Sequence, residues 1–511
     1  MYKTIEYVPK IEPTSSQILS LIYTPGVGHA CMKIKENDGL SYVYTNRENS
    51  VAVISFEYEK SLKRAIFLKS TLNIDAYPLE CKKEFLKLVI ENIYPNFCGI
   101  DLTIIADEVK DIQFEVEIPV LKSPHPNPPP QGGREIPTPP IDIKEFFMPF
   151  SKNIFNFNIN QLEGNFEQQS LSLREKAGGV VETKLSENQD NCLPVALVSD
   201  GSAVLGFGNI GAAAAIPVME GKAVIFKYLG GVDAISLCLK TQNPQEIITI
   251  VQALEKSFSG VNLEDICAPK CFDIEKALVE RLNIPVFHDD QHGTAIVVLA
   301  ALLNALELAD KKIEDVKIVI SGAGAAAQAV SKLLLSAGAK NIVHTNRKGI
   351  VVEGDENNDF YLEKLAQITN RGKIKGGLQD ALKCADIFIG LSTAGVLKPE
   401  FIKEMKQKPI IFALANPTPE IMPDEALKEG AFIVATGRSD FDNQINNSLA
   451  FPGLFKSLIV NKINKVTDQI KLKCAIAIAS LIKKEDLTAI NILPNALDPR
   501  VPHAIINSFN N

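Results

Sequence analysis

An α/β fold built on parallel sheets is what this sequence predicts, and three observations carry the prediction. From residue 309 onwards, short apolar stretches alternate with helix-length amphipathic segments, the rhythm of strand–helix–strand units. The apolar run Val316-Lys-Ile-Val-Ile-Ser321 leads into Gly322-Ala-Gly324-Ala-Ala-Ala327 and then into a helix-like stretch, Gln328 to Ala337. Residues 195–308 share the Gly-rich, apolar-periodic texture. The predicted architecture is a Rossmann-like domain with a parallel sheet, plus a discontinuous α/β substrate domain that carries a long insertion.

The composition agrees. At roughly 150 residues per domain, 511 residues give about three domains and a large core. The 53 basic and 61 acidic residues leave a formal charge of −8, which argues against a general electrostatic grip on nucleic acid. No apolar run reaches the roughly 18–20 residues needed to cross a bilayer. The most apolar stretch, Ala295 to Ala309, contains Asn304 and Glu307 and reads as a buried helix. Met1 to Lys10 carries acid and lacks the layout of a secretory signal. Nine scattered cysteines suit a reducing compartment. The expectation is a cytoplasmic protein with no membrane and no nucleic-acid partner.

Five segments follow in order. Residues 1–55 form the N-terminal part of the substrate domain, with a turn at Tyr23 to Gly26 and a strand-like Val51-Ala-Val-Ile54. Residues 56–194 are the insertion. Its run Ser123-Pro-His-Pro-Asn-Pro-Pro-Pro130, followed by Pro137, Pro139 and Pro140, can neither continue a helix nor donate to a sheet. The Phe- and Asn-rich stretch Phe146 to Gln169 has no clear period. Residues 195–308 are the substrate and metal domain, 309–440 the dinucleotide domain, and 441–511 a C-terminal substrate-binding segment with helices.

The insertion holds a partial echo. Ala65-Ile-Phe-Leu-Lys69 with Asp75, Ala76 and Leu79 parallels Ala223-Val-Ile-Phe-Lys227 with Asp233, Ala234 and Leu237. Gly99-Ile-Asp-Leu102 parallels Gly260-Val-Asn-Leu263. Thr103 and Ile104 follow the first, Glu264 and Asp265 the second, so only the second can bind a metal. Chance among apolar segments explains the echo about as well as duplication.

The strand, G-x-G-x-x-A and helix at 316–337 form the context a dinucleotide fingerprint requires. Gly322 permits the tight turn, Gly324 and Ala325 let backbone approach a pyrophosphate, and Ala327 allows close helix packing. A second motif, Gly206-Phe-Gly208-Asn-Ile-Gly211, is followed by Pro217, which should end a helix after barely one turn. It reads instead as a tight backbone approach within the substrate domain. After the expected second strand, Asn341 to His344, Asn346 stands where an Asp would bind both ribose hydroxyls, with Arg347 and Lys348 next to it. That leaves both NAD and NADP open. Ser392, Thr393 and Asn416 follow later strands, and Asn446 and Asn447 come soon afterwards. In a parallel sheet such positions gather at the carboxyl edge, where ligands bind.

Two acidic pairs stand apart, Glu264-Asp265 and Asp289-Asp290, the latter within Phe287-His-Asp-Asp-Gln-His-Gly-Thr294. Carboxylates from two loops, without a Cys/His set, suit Mg²⁺ or Mn²⁺. His288 and His292 on a Gly-containing loop are not the helical zinc motif.

Taken together, these segments resemble the bacterial-type malic enzymes. The matching runs are Tyr23-Thr-Pro-Gly-Val27, Ser199-Asp-Gly201, Gly206-Phe-Gly-Asn-Ile-Gly211, Pro217-Val-Met-Glu-Gly-Lys222 and Asn262-Leu-Glu-Asp265. Phe287 to Thr294, Ser321 to Ala326, Ala413-Leu-Ala-Asn-Pro417, Gly437-Arg-Ser-Asp440, Gln444-Ile-Asn-Asn447 and Asp498-Pro-Arg500 complete the series, in the right order. The resemblance covers residues 1–55 and 195–511. It implies metal-dependent oxidative decarboxylation of (S)-malate to pyruvate and CO₂, with NAD or NADP reduced, by a homodimer or larger homo-oligomer. It further implies Glu264, Asp265 and Asp290 as metal ligands and Asp289 beside the substrate. Lys222 would be the base and Tyr23 the acid, with Asn416, Asn446 and Asn447 on the substrate carboxylates. Asn416 would also face the cofactor, with Ser392 and Thr393.

One departure is large. In the family the strand resembling Val51 to Ser55 runs directly into Asp-Gly, whereas here a repeat of it, Val195-Ala-Leu-Val-Ser199, precedes Asp200-Gly201. Glu175 to Glu182 also resembles an N-terminal family strand. The insertion thus separates Tyr23 from Lys222. Two rivals follow: a related hydroxy-acid dehydrogenase or oxaloacetate decarboxylase, and an inactive paralogue disabled by the insertion that acts as a subunit or binding protein.

Overall fold

The computed structural model describes residues 4–15, 18–19, 22–23, 27–72, 75–97, 99–102, 181–186 and 193–509. The Pro-rich run, the Phe- and Asn-rich stretch and Thr24 to Gly26 lie outside them. The described elements begin with β1 (Thr4–Pro9), the helix Gly28–Glu36 and β2 (Ser50–Ser55). The helix Tyr58–Leu72, β3 (Asp75–Glu80), the helix Leu86–Ile93 and β4 (Gly99–Leu102) follow. β2, β3 and β4 form one parallel sheet in the order β3-β2-β4. β5 (Val181–Ser186) pairs antiparallel with β1.

The next unit repeats this plan. β6 (Val195–Ser199), the helix Gly211–Gly230, β7 (Ala234–Cys238), the helix Pro244–Ala253 and β8 (Gly260–Leu263) are joined by β9 (Val286–His288). They make a parallel sheet ordered β7-β6-β8-β9. The echo extends to register. Val51 faces Ala76 and Gly99, and Val195 faces Ala234 and Gly260. The ion pair Lys69–Asp75 (2.7 Å) has its counterpart in Lys227–Asp233 (2.9 Å). Residues 50–102 and 195–263 thus share strand order, register and an ion pair.

Pro217 does not end its helix. Gly211–Gly230 runs for 20 residues with Pro217 inside it. Nearly every residue from Ala212 to Phe226 is buried, and that burial outweighs the roughly 3 kcal/mol of an interior proline. Gly206, Gly208 and Gly211 all have positive φ, yet at Gly208 and Gly211 no atom lies within 4 Å of an added Cβ. These glycines shape a turn. The turn is also a tight backbone approach, since a Cβ on Gly201 would stand 2.3 Å from the Gly211 carbonyl oxygen; a further one is at Gly221, where a Cβ would stand 2.1 Å from the Ile22 carbonyl oxygen.

β10 (Lys317–Ser321), β11 (Asn341–Asn346), β12 (Gly349–Ile350), β13 (Ile387–Gly390), β14 (Ile410–Ala413) and β15 (Ile433–Thr436) form the third sheet. Its order is β12-β11-β10-β13-β14-β15, parallel except for β12. Side chains alternate between its two faces. Ile318, Ile320, Ile389 and Phe412 join the main core with both preceding units, and Val319, Val343, Phe388 and Ile411 join a second cluster on the far face. Both faces are covered, which explains the continuous apolar strands. The π-helical turn Asp289–Gly293 and the helix Thr294–Ala309 together make a 21-residue span long and apolar enough to cross a membrane, but it is mostly buried in the core.

Candidate active site

The ends of β8 and β9 and the middle of the Gly211–Gly230 helix meet at Lys222, whose side chain is fully buried. Its Nζ donates to Glu264 Oε2 and to Asp289 Oδ2, each at 2.5 Å, and lies 4.2 Å from the centre of the Phe451 ring. Burial lowers the lysine pKa, but the Asp289 and Glu264 carboxylates outweigh it and raise the pKa above its ordinary value. Lys222 is therefore held as a cation. A base at this position needs that carboxylate charge to be drawn off first.

Tyr23 comes from the other end of the chain. Its Oη donates to Glu264 Oε1 at 3.4 Å. Burial, then the charges of Glu264 and Asp289, push its pKa well up, so the phenol keeps its proton at neutral pH. Insertion and all, the structure brings Tyr23, Lys222, Glu264 and Asp289 together. Asn447 Nδ2 donates to Asp289 Oδ2 at 2.5 Å, and Asn262 Nδ2 donates to Glu264 Oε2 at 3.1 Å. Asn446 is used differently: its side chain accepts the Ser448 N–H at 2.9 Å and caps the turn Asn447–Leu449.

Among the described residues, no three His, Cys, Asp or Glu side chains form a ready-made metal cage. Glu264 is turned to Lys222, and Asp290 Oδ2 accepts the Asp265 N–H at 2.8 Å. The donor set nevertheless fits a hard cation. Four carboxylates surround a single lysine, and the buried Asp265 Oδ2 and Asp289 Oδ1 have no hydrogen-bond partner. Burial, with repulsion from Glu264, pushes Asp289 up to about 7 despite Lys222, and Asp265 well up through burial and then Asp290. Asp265 also adopts a left-handed backbone, φ +54°, a strain of a kind that collects at functional sites. A divalent cation bound by carboxylate oxygens would relieve these like charges.

Sequence reasoning missed two glutamates, the half-buried Glu275 and the buried Glu420. Glu275 accepts from His292 Nε2 at 2.8 Å, Gln291 Nε2 at 3.1 Å and the His288 N–H at 3.2 Å. It thereby holds the turn that carries Asp289 and Asp290. His288 itself is neutral, its pKa pushed down to about 4 by burial. That turn is π-helical, where a Gly-containing loop was expected, and such turns recur at functional sites. The other glutamate, Glu420, accepts the Ser392 and Ala415 N–H groups, each at 2.9 Å, and so ties the carboxyl ends of β13 and β14. Neither residue lies in a motif, and no local pattern in the sequence flags either one.

At the third sheet, Gly322 has φ +123°, and a Cβ there would meet the Leu391 carbonyl oxygen at 2.4 Å. Next to Gly324 no atom lies within 4 Å of an added Cβ. The helix Ala325–Ser336 starts there, closely packed at Ala327, without a side-chain cap, leaving N–H groups for a phosphate. Ser392 Oγ lies 2.9 Å from Ser321 Oγ, Thr393 is exposed, and Asn416 is half-buried after β14. Asn346 ends β11 and accepts the Lys348 N–H at 2.8 Å. Asn346, Arg347, Lys348, Asp355 and Asn358 border a cavity of about 280 Å³. These residues fit a dinucleotide.

Two family models match the chain: the malic enzyme N-terminal domain over residues 157–279, and the malic enzyme NAD-binding domain over residues 291–500. The first begins inside the stretch read as insertion, and Tyr23 lies outside both. An NAD-dependent malic enzyme of Geobacillus stearothermophilus is 50% identical over 307 residues, 60% of this chain and 64% of that protein. A bifunctional malic/malolactic enzyme of Bacillus subtilis is 50% identical over 313 residues, 61% of this chain and 76% of that protein. The crystal structure of an NAD-dependent malic enzyme from Thermotoga maritima superposes with a TM-score of 0.60 at 52% identity, covering 62% of this chain and 84% of that one.

Proposed function

The chain belongs to the malic enzyme family, and on that premise we propose that it converts (S)-malate to pyruvate and CO₂ while reducing NAD or NADP. The observation that carries this reading is the meeting of Tyr23 and Lys222 on Glu264. A cation on Glu264, Asp265 and Asp290 would neutralise charge as decarboxylation proceeds, and a dinucleotide on the Gly322 loop would accept the hydride. Drawing Glu264 away from Lys222 leaves Asp289 as its acidic partner and lowers the lysine's hold on its proton. Lys222, once it has released that proton to solvent, accepts the malate hydroxyl proton as a neutral amine, and Tyr23 returns a proton to the carbon that loses CO₂. Asn447 and Asp289 orient the substrate, with Asn416 at the adjoining strand edge. The 3.4 Å contact of Tyr23 with Glu264 supports this reading over the inactive paralogue, which rests on a displaced Tyr23. The nine scattered cysteines suit a reducing compartment such as the cytoplasm.

Malate-dependent formation of reduced dinucleotide and pyruvate, with and without Mn²⁺, tests the proposal. Lys222→Ala should suppress both, by roughly 10²- to 10⁴-fold. Tyr23→Phe should slow pyruvate release while still permitting a first burst of hydride transfer. Asp290→Asn should weaken Mn²⁺ binding, read by calorimetry, together with turnover. Wild-type rates in Lys222→Ala would refute the assignment.

A further inference from the structure

Both copies keep their sheets, but each lacks what the other retains. Between the first strand and the central strand, the first copy has residues 10–49, which carry Tyr23, and the second only 187–194. Between the central strand and the shared Ala-x-x-x-Lys run, the second copy has 200–222, which carry Lys222, and the first only 56–64. Arg64 stands at the place of Lys222, and Thr103-Ile104 at that of Glu264-Asp265.

The contact between the copies is reciprocal. By the matched registers, Asn96 corresponds to Ser257 and Glu80 to Cys238. Asn96 Nδ2 donates to the Cys238 carbonyl at 2.9 Å, and the Cys238 N–H donates to Asn96 Oδ1 at 2.8 Å. On the other side, the Glu80 N–H donates to Ser257 Oγ at 2.7 Å, and Ser257 Oγ donates to the Glu80 carbonyl at 3.3 Å. The β1–β5 ladder obeys the same exchange. Aligning Glu6 with Glu182 makes Tyr7 and Thr183 equivalent, and these two face each other at the centre of the ladder. Residue i touching j while the equivalent of j touches the equivalent of i is the signature of a two-fold, isologous interface.

We infer that this chain is a fused pseudo-dimer: two copies of one substrate unit, joined across an isologous face, with a single composite site. Tyr23 comes from the first copy, and Lys222, Glu264, Asp265, Asp289 and Asp290 from the second. The face that would recruit a second chain is filled from within, and the first copy serves as scaffold and proton donor. Catalysis here rests on the proposed function, but the architecture does not.

Two experiments on the full chain separate these points. Lys256 Nζ lies 3.0 Å from Glu80 Oε1, across the two copies, so a carbodiimide should join them by an amide bond. The cross-linked peptide should be recovered from the band of single-chain mass; recovery from a band of doubled mass overturns the inference. Separately, Tyr23→Phe and Lys222→Ala chains are co-expressed. A site built within one chain leaves malate turnover at the level of the single variants, roughly 10²-fold or more below wild type. Recovered turnover means the two residues come from different chains, and overturns it. A wild-type chain inert toward malate would refute the functional proposal, while the cross-link would still decide the architecture.

Discussion

Gly221 sits one residue before Lys222, and its missing side chain is what lets Tyr23 in. A Cβ there would meet the Ile22 carbonyl oxygen at 2.1 Å and Tyr23 Cα at 3.2 Å. Both are backbone atoms that cannot swing aside. Gly221→Ala should therefore fold but push the Tyr23 segment away, and a displacement of about 1 Å costs roughly 10²-fold in turnover. The double variant with Tyr23→Phe should be no slower than Tyr23→Phe alone; additive losses would show that the added methyl group acts elsewhere. Glu275 makes a second residue-scale prediction. Burial raises its pKa, but His292 and His288 outweigh this and hold it at about 2, against 4.5 ordinarily. A depressed carboxylate stabilises the fold above its unfolded pKa and loses that contribution as pH falls through the folded one. Wild type should thus lose stability between about pH 4.5 and 2 more steeply than Glu275→Gln, as measured by denaturant titration at each pH.

At the scale of elements, the β10–glycine–helix unit was readable because its rules are local: apolar strand, G-x-G-x-x-A, then helix. His344 on β11 completes it, contacting the Gly322 carbonyl through Nδ1 at 2.8 Å and Ser331 Oγ through Nε2. Burial pushes its pKa down to about 4, so it stays neutral. At Pro217 the local rule fails, because the packing of a buried helix overrides it. The cofactor prediction belongs here. Asn346 ends β11 beside Arg347 and Lys348, and carries no charge to repel a 2′-phosphate. Asn346→Asp should raise the NAD-to-NADP ratio of kcat/KM by supplying a bidentate acceptor for the ribose hydroxyls. An unchanged ratio would place the ribose elsewhere.

For the whole molecule, the decisive contacts join residues remote in sequence. Tyr23 and Glu264 are 241 positions apart, and Asn96 and Cys238 are 142. The repeat in the sequence hinted at a second copy, but reciprocity is a tertiary property that no local pattern encodes. Both copies share one core, in which Phe97 packs at 5.4 Å from Tyr77 and belongs to the same cluster as Val195 and Leu197. Phe97→Ala should cost about 3 to 5 kcal/mol and lower a single calorimetric transition. A separate early transition for residues 50–102 would show that the copies unfold independently.

Joining Tyr23 covalently to the unit that holds Lys222 also changes how the site responds to concentration. Two separate chains would part on dilution, and their sites would empty as the protein became scarce. A tether makes the encounter intramolecular, so it no longer depends on how many chains are present. The specific activity of this chain should therefore stay flat as it is diluted, with no lag on return to higher concentration. The composite site persists when only a few molecules are present in a cell.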